Sequence, residues 1–382
     1  MPTVTRTRRM LDVSGAASVT AAAEEAAAEH GHRVVIAVVD AAGDLLALRR
    51  TDGAQTASVE VGIDKARTAA TFVRPSRELE EQVSGGRLGA LALHGAAALT
   101  GGIPLTVDGE VVGAIGTSGE TPDEDESVSL AGAAARFSTV EVPALTYEGA
   151  RLAAEAAGAP ATARGVAPVV TVVDDAGALV YLWRPDRAQP ASVGVATDKA
   201  RTAAIYRRPS RDFEEQASNG RPSALHLARA VPLQGGIPIA HDGRVIGAIG
   251  VSGASSADED HELAAIGMAA AEAAADAPPP RATLFRAAEI RDRFTTGGLL
   301  AQARGYALDA GRRTGPGEVE LHERVTDVMH VVQGTATVVT RGEGGEAHDV
   351  GPGDVLVIPA GVPHEFTGAS DPFLYLVVKV EG

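Results

Sequence analysis

The run DKARTAA occurs twice, at Asp64–Ala70 and at Asp198–Ala204, an offset of 134 residues. The same offset carries Asp40 onto Asp174, RPSR at Arg74–Arg77 onto Arg208–Arg211, and GGIP at Gly101–Pro104 onto Gly235–Pro238. It also carries GAIG at Gly113–Gly116 onto Gly247–Gly250. One extra residue enters after Ser118-Gly119 and Ser252-Gly253, so Asp123-Glu124-Asp125 matches Asp258-Glu259-Asp260. So many matches in one register mean two tandem copies of one module.

Each copy reads as the same string of elements. An Ala-rich helix comes first, over about residues 18–29 and again over about 144–157. A β-branched run follows (34–39, 169–173) and stops at Asp-Ala-Ala-Gly or Asp-Asp-Ala-Gly, which are turn residues. A second strand is expected at 45–48 or 179–183. Then come the helix that carries DKARTAA and another starting near Pro75 or Pro209, where proline suits a first turn. A glycine-rich loop leads to a hairpin at Asp108-Gly109 or Asp242-Gly243, a dipeptide that favours a type I′ turn. The closing helix begins at the acidic cluster, which complements the positive helix end. The expected order is α-β-β-α-α-β-β-α, an antiparallel sheet with helices packed on it. Two fused copies most simply pack as a pseudo-dimer.

The stretches VVIAVVDAAGDLLALRRTDGA, DKARTAATF and GGIPLTVDGEVVGAIGTSG, with the acidic cluster, resemble the GlcG/HbpS family. The resemblance implies a profilin-like α/β fold in both repeats, homo-oligomerisation, and in some members haem binding or degradation. It is specific for fold and weak for activity.

Beyond Ala277 stands Pro278-Pro279-Pro280, a stiff linker. From Arg281 the Ala-rich texture gives way to short Val/Thr/Leu runs broken by Gly-Asp, Gly-Glu and Pro-Gly, which predicts an all-β barrel. The expected domains are therefore 1–142, 143–276 and 281–382. Within the third, GDVLVIPAGVPH at Gly353–His364 and GEVELHERVTDVMHVVQG at Gly317–Gly334 resemble the paired motifs of cupins. The resemblance implies a jelly-roll barrel and carries a metal set onto Glu320, His322, Asp327 and His364. Glu320 stands where cupins usually have the first His of a His-x-His pair, and Asp327 where they usually have Glu. Glu320 and His322 are two apart, so on a strand they share a face. Two imidazoles and two carboxylates suit Fe, Mn or Zn. His330 competes with Asp327. It lies three residues on, which on a straight strand is the opposite face unless a bulge intervenes.

The remaining chemistry is narrowed by exclusion. The chain has no cysteine, which removes disulfides, thiolate metal sites and Cys nucleophiles. Its formal net charge of −16 disfavours nucleic acid and anionic membrane surfaces. Arg6, Arg8 and Arg9 hint at an export signal, but Asp12, Glu24, Glu25 and Glu29 interrupt the Ala-rich stretch behind them, so a cytoplasmic location is expected. Haem would need a His ligand most simply, with Met or Tyr as alternatives. Yet His30, His32, His94, His226, His241 and His261 have no His at the repeat-equivalent position, so the two modules cannot share one His-based haem site. What the modules share is Asp40/Asp174, Lys65/Lys199, Arg67/Arg201 and Arg74/Arg208, read as residues that fix sheet-to-helix geometry. Ser84–Gly89 and Ser218–Arg221 lack the Gly-Lys-Ser/Thr of a phosphate loop. Ser118 and Ser252 have no nameable base.

The leading expectation is a metal-dependent enzyme that acts on a small-molecule substrate through the cupin site, with non-haem iron oxygenase chemistry as one form. A haem- or tetrapyrrole-binding or sensing protein is the alternative, and a scaffold with neither group is the third.

Overall fold

The computed structural model describes residues 3–276, 283–303, 305–342 and 344–381. The expected linker Pro278–Pro280 lies outside the described residues. The chain divides into two compact units, residues 2–277 and, apart from the first residue, 278–382.

The first repeat runs β1 (Thr5–Leu11), α1 (Val13–His30), β2 (Val35–Asp40), β3 (Leu45–Arg50), α2 (Ser58–Phe72), α3 (Arg77–Ser84), β4 (Gly102–Val107), β5 (Glu110–Ser118) and α4 (Pro122–Ala133). The second repeats it as β6 (Thr139–Leu145), α5 (Tyr147–Ala163), β7 (Val169–Asp174), β8 (Leu179–Trp183), α6 (Ser192–Tyr206), α7 (Arg211–Ser218), β9 (Gly236–His241), β10 (Arg244–Ser252) and α8 (Ala257–Ala275). Each forms a four-stranded antiparallel sheet, ordered β3-β2-β5-β4 and β8-β7-β10-β9. The hairpin turns behave as the sequence predicts: Asp108 and Gly109 have φ of 51° and 83°, Asp242 and Gly243 of 49° and 72°.

Each sheet is covered on both faces. Val19, Ala23, Val128 and Ile115 join α1 and α4 to one face of the first sheet. On the other face Ala66, Ala69 and Ala70 of α2 meet Val39 and Ala114. Small side chains let this helix lie almost on the sheet backbone. A Cβ at Gly116 would stand 2.3 Å from the Gly62 carbonyl oxygen, and one at Gly250 would stand 2.1 Å from that of Ala196. The repeated GAIG motif thus records a helix–sheet contact without room for a methyl group.

Two differences from the expected order concern the first strand of each repeat. The segment that carries Arg6, Arg8 and Arg9 is β1, paired antiparallel with β6. Residues 144 and 145 belong to β6 rather than to the following helix, and α1 starts at Val13, capped by Asp12, rather than near Ser18. Arg8 pairs with Val142, its own repeat equivalent 134 residues on, so the ribbon crosses an approximate two-fold axis between the repeats. The Arg8 guanidinium donates to both oxygens of Asp175 at 2.7 and 2.8 Å, tying one repeat to the other.

The second unit begins with α9 (Ala287–Thr296) and continues through β11 (Gly298–Ala303), β12 (Tyr306–Arg313), β13 (Val325–Gln333), β14 (Ala336–Thr340), β15 (Ala347–Val350), β16 (Val355–Ile358), β17 (His364–Ala369) and β18 (Phe373–Glu381). A five-stranded sheet, β11-β12-β18-β13-β16, and a three-stranded sheet, β15-β14-β17, share one core. Met329, Val331, Phe373 and Val377 from the first pack with Val338, Val350 and Phe366 from the second. From β11 onward this is the all-β arrangement expected after residue 281; the helix α9 that precedes it was not expected. Among the described residues no helix is long and apolar enough to cross a membrane.

Candidate metal centre

Glu320, Asp327 and His364 line a cavity of about 460 Å³ in the second unit, and His322 lies beside Glu320 and Asp327. Asp327 sits in β13 between Ile358 of β16 and Lys379 of β18, and its side chain turns inward. His364 opens β17. The Glu320 amide donates to the His364 carbonyl at 2.8 Å, and the His364 amide donates back to Glu320 at 2.9 Å. This isolated bridge anchors the β12–β13 connection against β17. The Gly361 amide donates to the His322 carbonyl at 2.8 Å, which fixes the next turn of the connection. Glu320 and His322 therefore come together on an anchored loop, not on one face of a strand as their spacing predicts.

The donor atoms converge. His322 Nε2 lies 3.6 Å from Glu320 Oε2 and 3.5 Å from Asp327 Oδ2. His364 Nε2 lies 3.8 Å from the same Asp327 oxygen. Single ligand atoms of Glu320, His322 and His364 all fall within 4.8 Å of one another, and Asp327 joins through the two imidazoles. Ligands about 2.1 Å from a tetrahedral ion stand about 3.4 Å apart, so small side-chain adjustments would close these gaps. His330, the competing candidate, is exposed on the opposite face of β13, because the strand runs straight past Asp327.

The donor set fits a cation. His322 Nε2 and Asp327 Oδ1 are buried without a hydrogen-bond partner. Buried polar atoms without partners are uncommon and call for a ligand, ion or water. His364 Nδ1 lies 3.1 Å from the Val362 carbonyl. If Nδ1 carries the proton, that contact holds the ring with the Nε2 lone pair toward the cluster. Burial pushes the Asp327 carboxyl above its usual range, against the pull of the nearby His322, Lys379 and His364. A cation there would reverse that cost. Arg313 donates to Glu320 Oε1, and its guanidinium stacks 4.0 Å over the Phe366 ring. Glu320 Oε2 is left on the His322 side.

The repeats hold their shared polar residues differently. Lys65 Nζ contacts Asp125 Oδ2 at 2.7 Å and the Thr117 carbonyl at 2.9 Å, and Lys199 contacts Asp260 and Val251, both at 2.9 Å. Arg67 and Arg201 point the other way, to the Gly43 and Gly177 carbonyls. Asp40 and Asp174 each accept two backbone N–H groups of their own turn. All are structural contacts, as the sequence reading favoured. Of the histidines, His32 approaches Glu120 and Glu124, a grouping the sequence reading missed because its members are distant in the chain. Its carboxylates already cap local structure: Glu120 accepts from the Arg33 amide and Glu124 from Thr121.

Comparison with known proteins agrees with the two-part organisation. Residues 11–134 and 145–269 both match the family model described as haem degrading protein HbpS-like, and residues 307–379 match that of the cupin domain. Protein GlcG of Escherichia coli K12 is 41% identical over 83 residues, 22% of this chain and 62% of GlcG. A crystal structure of a Streptomyces reticuli HbpS double mutant is 34% identical and covers 33% of this chain and 86% of that one, with a TM-score of 0.32. PduOC, solved as a haem complex, is 27% identical and covers 33% and 94%, with a TM-score of 0.31. The matched repeats make up more than half of the sequence, and the chain belongs to the HbpS-like family, in two tandem copies followed by a cupin domain.

Proposed function

We propose that the chain is a metal-dependent enzyme that acts on a small organic molecule in the cupin cavity, with the tandem modules serving assembly. One observation carries this reading: single ligand atoms of Glu320, His322 and His364 lie within 4.8 Å of one another, Asp327 Oδ2 approaches both imidazoles, and His322 Nε2 and Asp327 Oδ1 are buried without a hydrogen-bond partner. These four residues would hold a divalent metal: iron, manganese or zinc. Such an ion supplies Lewis acidity and, as iron, access to dioxygen chemistry. The protein's own part is positional. Arg313 orients Glu320, the Glu320–His364 bridge fixes the loop, and Met329, Ile358, Phe366 and Val377 keep one cavity wall apolar. Burial holds the Tyr375 hydroxyl protonated beyond its usual range, so that wall also carries a neutral donor. The test is elemental analysis of the full chain beside a His322→Ala/His364→Ala variant. Near-stoichiometric metal lost in the variant supports the reading, and metal-free protein after anaerobic reconstitution with each ion overturns it.

The second reading, haem binding by the repeats, is favoured by family membership and by PduOC having been solved with haem. It places haem in one module at most if the ligand is His. A Soret shift on haem titration supports it, and an unchanged spectrum removes it.

A further inference from the structure

The cavity beside the donor cluster has a charge that the proposed metal set does not use. Lys379 lies on β18 directly across from Asp327 on one side and Ala307 on the other. It follows Phe373, Tyr375 and Val377 in the inward-facing alternation and lines the cavity. Arg313 holds Glu320, and Asp327, which attracts the Lys379 ammonium across the ladder, turns its Oδ2 to the two imidazoles. Asp309, the remaining acid of this wall, sits on the diagonal of the β12–β18 ladder. Among the described residues no carboxylate oxygen comes within 4.0 Å of the Lys379 ammonium, and no acceptor within hydrogen-bonding distance. A lysine half-buried along its length, whose ammonium has no close partner among the described residues and stands beside an apolar wall, is favourably placed to receive an anion. The cavity volume falls within the range of small-molecule sites.

We propose that the substrate of this cavity is a small organic carboxylate, with the Lys379 ammonium receiving its carboxylate and the wall of Phe366, Met329, Ile358 and Val377 covering its apolar body. The assignment rests on the metal-enzyme reading for the rest of the substrate to meet the donor cluster. The contact with Lys379 needs no metal and is tested separately.

The experiment is calorimetric titration of the full chain with butyrate, benzoate and succinate, each beside its amide, with and without added Mn²⁺. Metal content is measured on the same samples, and folding is checked by thermal melting. At least one carboxylate is expected to bind while its amide does not. Lys379→Gln is expected to weaken that binding roughly tenfold or more, the loss of one charge-assisted contact, at unchanged metal content. Lys379→Arg, which keeps the charge, is expected to retain affinity within roughly threefold. Equal binding of the amides, or carboxylate binding unaffected by Lys379→Gln, overturns the assignment. So does the absence of binding by any carboxylate in folded, metal-loaded protein, which leaves the metal centre standing. Lys379-dependent carboxylate binding by a protein that takes up no metal upholds the assignment and removes the metal-enzyme reading instead.

Discussion

The buried lysine in each DKARTAA motif allows a quantitative test of whether these motifs are structural. Lys65 and Asp125 are 5% and 4% exposed at the side chain, with 2.7 Å between Nζ and Oδ2. Lys65→Met keeps a similar length but leaves Asp125 buried without its cation. Breaking one side of a buried pair costs roughly 3–5 kcal/mol. In a cooperative unit of this size each kcal/mol lowers Tm by roughly 2–4 °C, so the expected drop is about 6–20 °C. Adding Asp125→Leu removes the orphaned charge. Replacing both members of a buried pair is often close to neutral, so at least half the loss should return. The remainder reflects the Thr117 carbonyl and the Glu120 amide, which lose their partners at roughly 1 kcal/mol each. Differential scanning calorimetry of the wild type, the single and the double variant decides it, with Lys199→Met as the internal replicate. A single variant that melts within about 2 °C of wild type, or a double variant no more stable than the single, would refute the structural account. It would make Lys65 and Lys199 candidates for binding a ligand instead.

Other outcomes follow from the same geometry. Gly116→Ala and Gly250→Ala should each destabilise by roughly 1–3 kcal/mol or more in urea titration, since the new Cβ would meet α2 or α6 backbone at 2.3 or 2.1 Å. Arg8→Ala should cost roughly 1–2 kcal/mol by loosening the ribbon between the repeats, and Asp175→Ala a similar amount, with the double variant no worse than additive. Burial lifts Asp40 and Asp174 above the usual carboxylate range despite their hydrogen bonds to turn amides. Their contribution to stability is therefore full below the ordinary Asp range and is lost as pH rises through the raised native value. Asp40→Asn, which keeps the accepting oxygen, should flatten the part of the urea-midpoint profile just above the ordinary Asp range and leave the protein no less stable at neutral pH.

The repeat was legible because identity at a fixed offset needs no structural inference, and the two halves fold alike. Asp108-Gly109 and Asp242-Gly243 were legible because left-handed backbone is a local demand that few residues meet. The β1–β6 ribbon was not. TRTRRML has little strand patterning, and its partner lies at residues 139–145, so the pairing exists only once the repeats come together. The candidate site divides in the same way. Resemblance to the paired cupin motifs named Glu320, His322, Asp327 and His364 as candidates, and strand alternation already set His330 against Asp327. The local geometry assumed for Glu320 and His322 was mistaken, because a single bridge to His364 holds them on a loop.

By itself the sequence determined the duplication, the class of each segment and the turn chemistry, all properties of neighbouring residues or of identity in register, while its resemblance to cupins proposed the candidate donors. Only the tertiary structure decided which groups are paired and which are left over. Lys65 and Lys199 are satisfied by acids about sixty residues away. Among the described residues, His322 Nε2, Asp327 Oδ1 and the Lys379 ammonium remain without hydrogen-bond partners, with Asp327 and Lys379 lining one cavity. Burial and pairing depend on segments distant in the chain, and the cost of an unpaired polar atom arises only where the fold has excluded water.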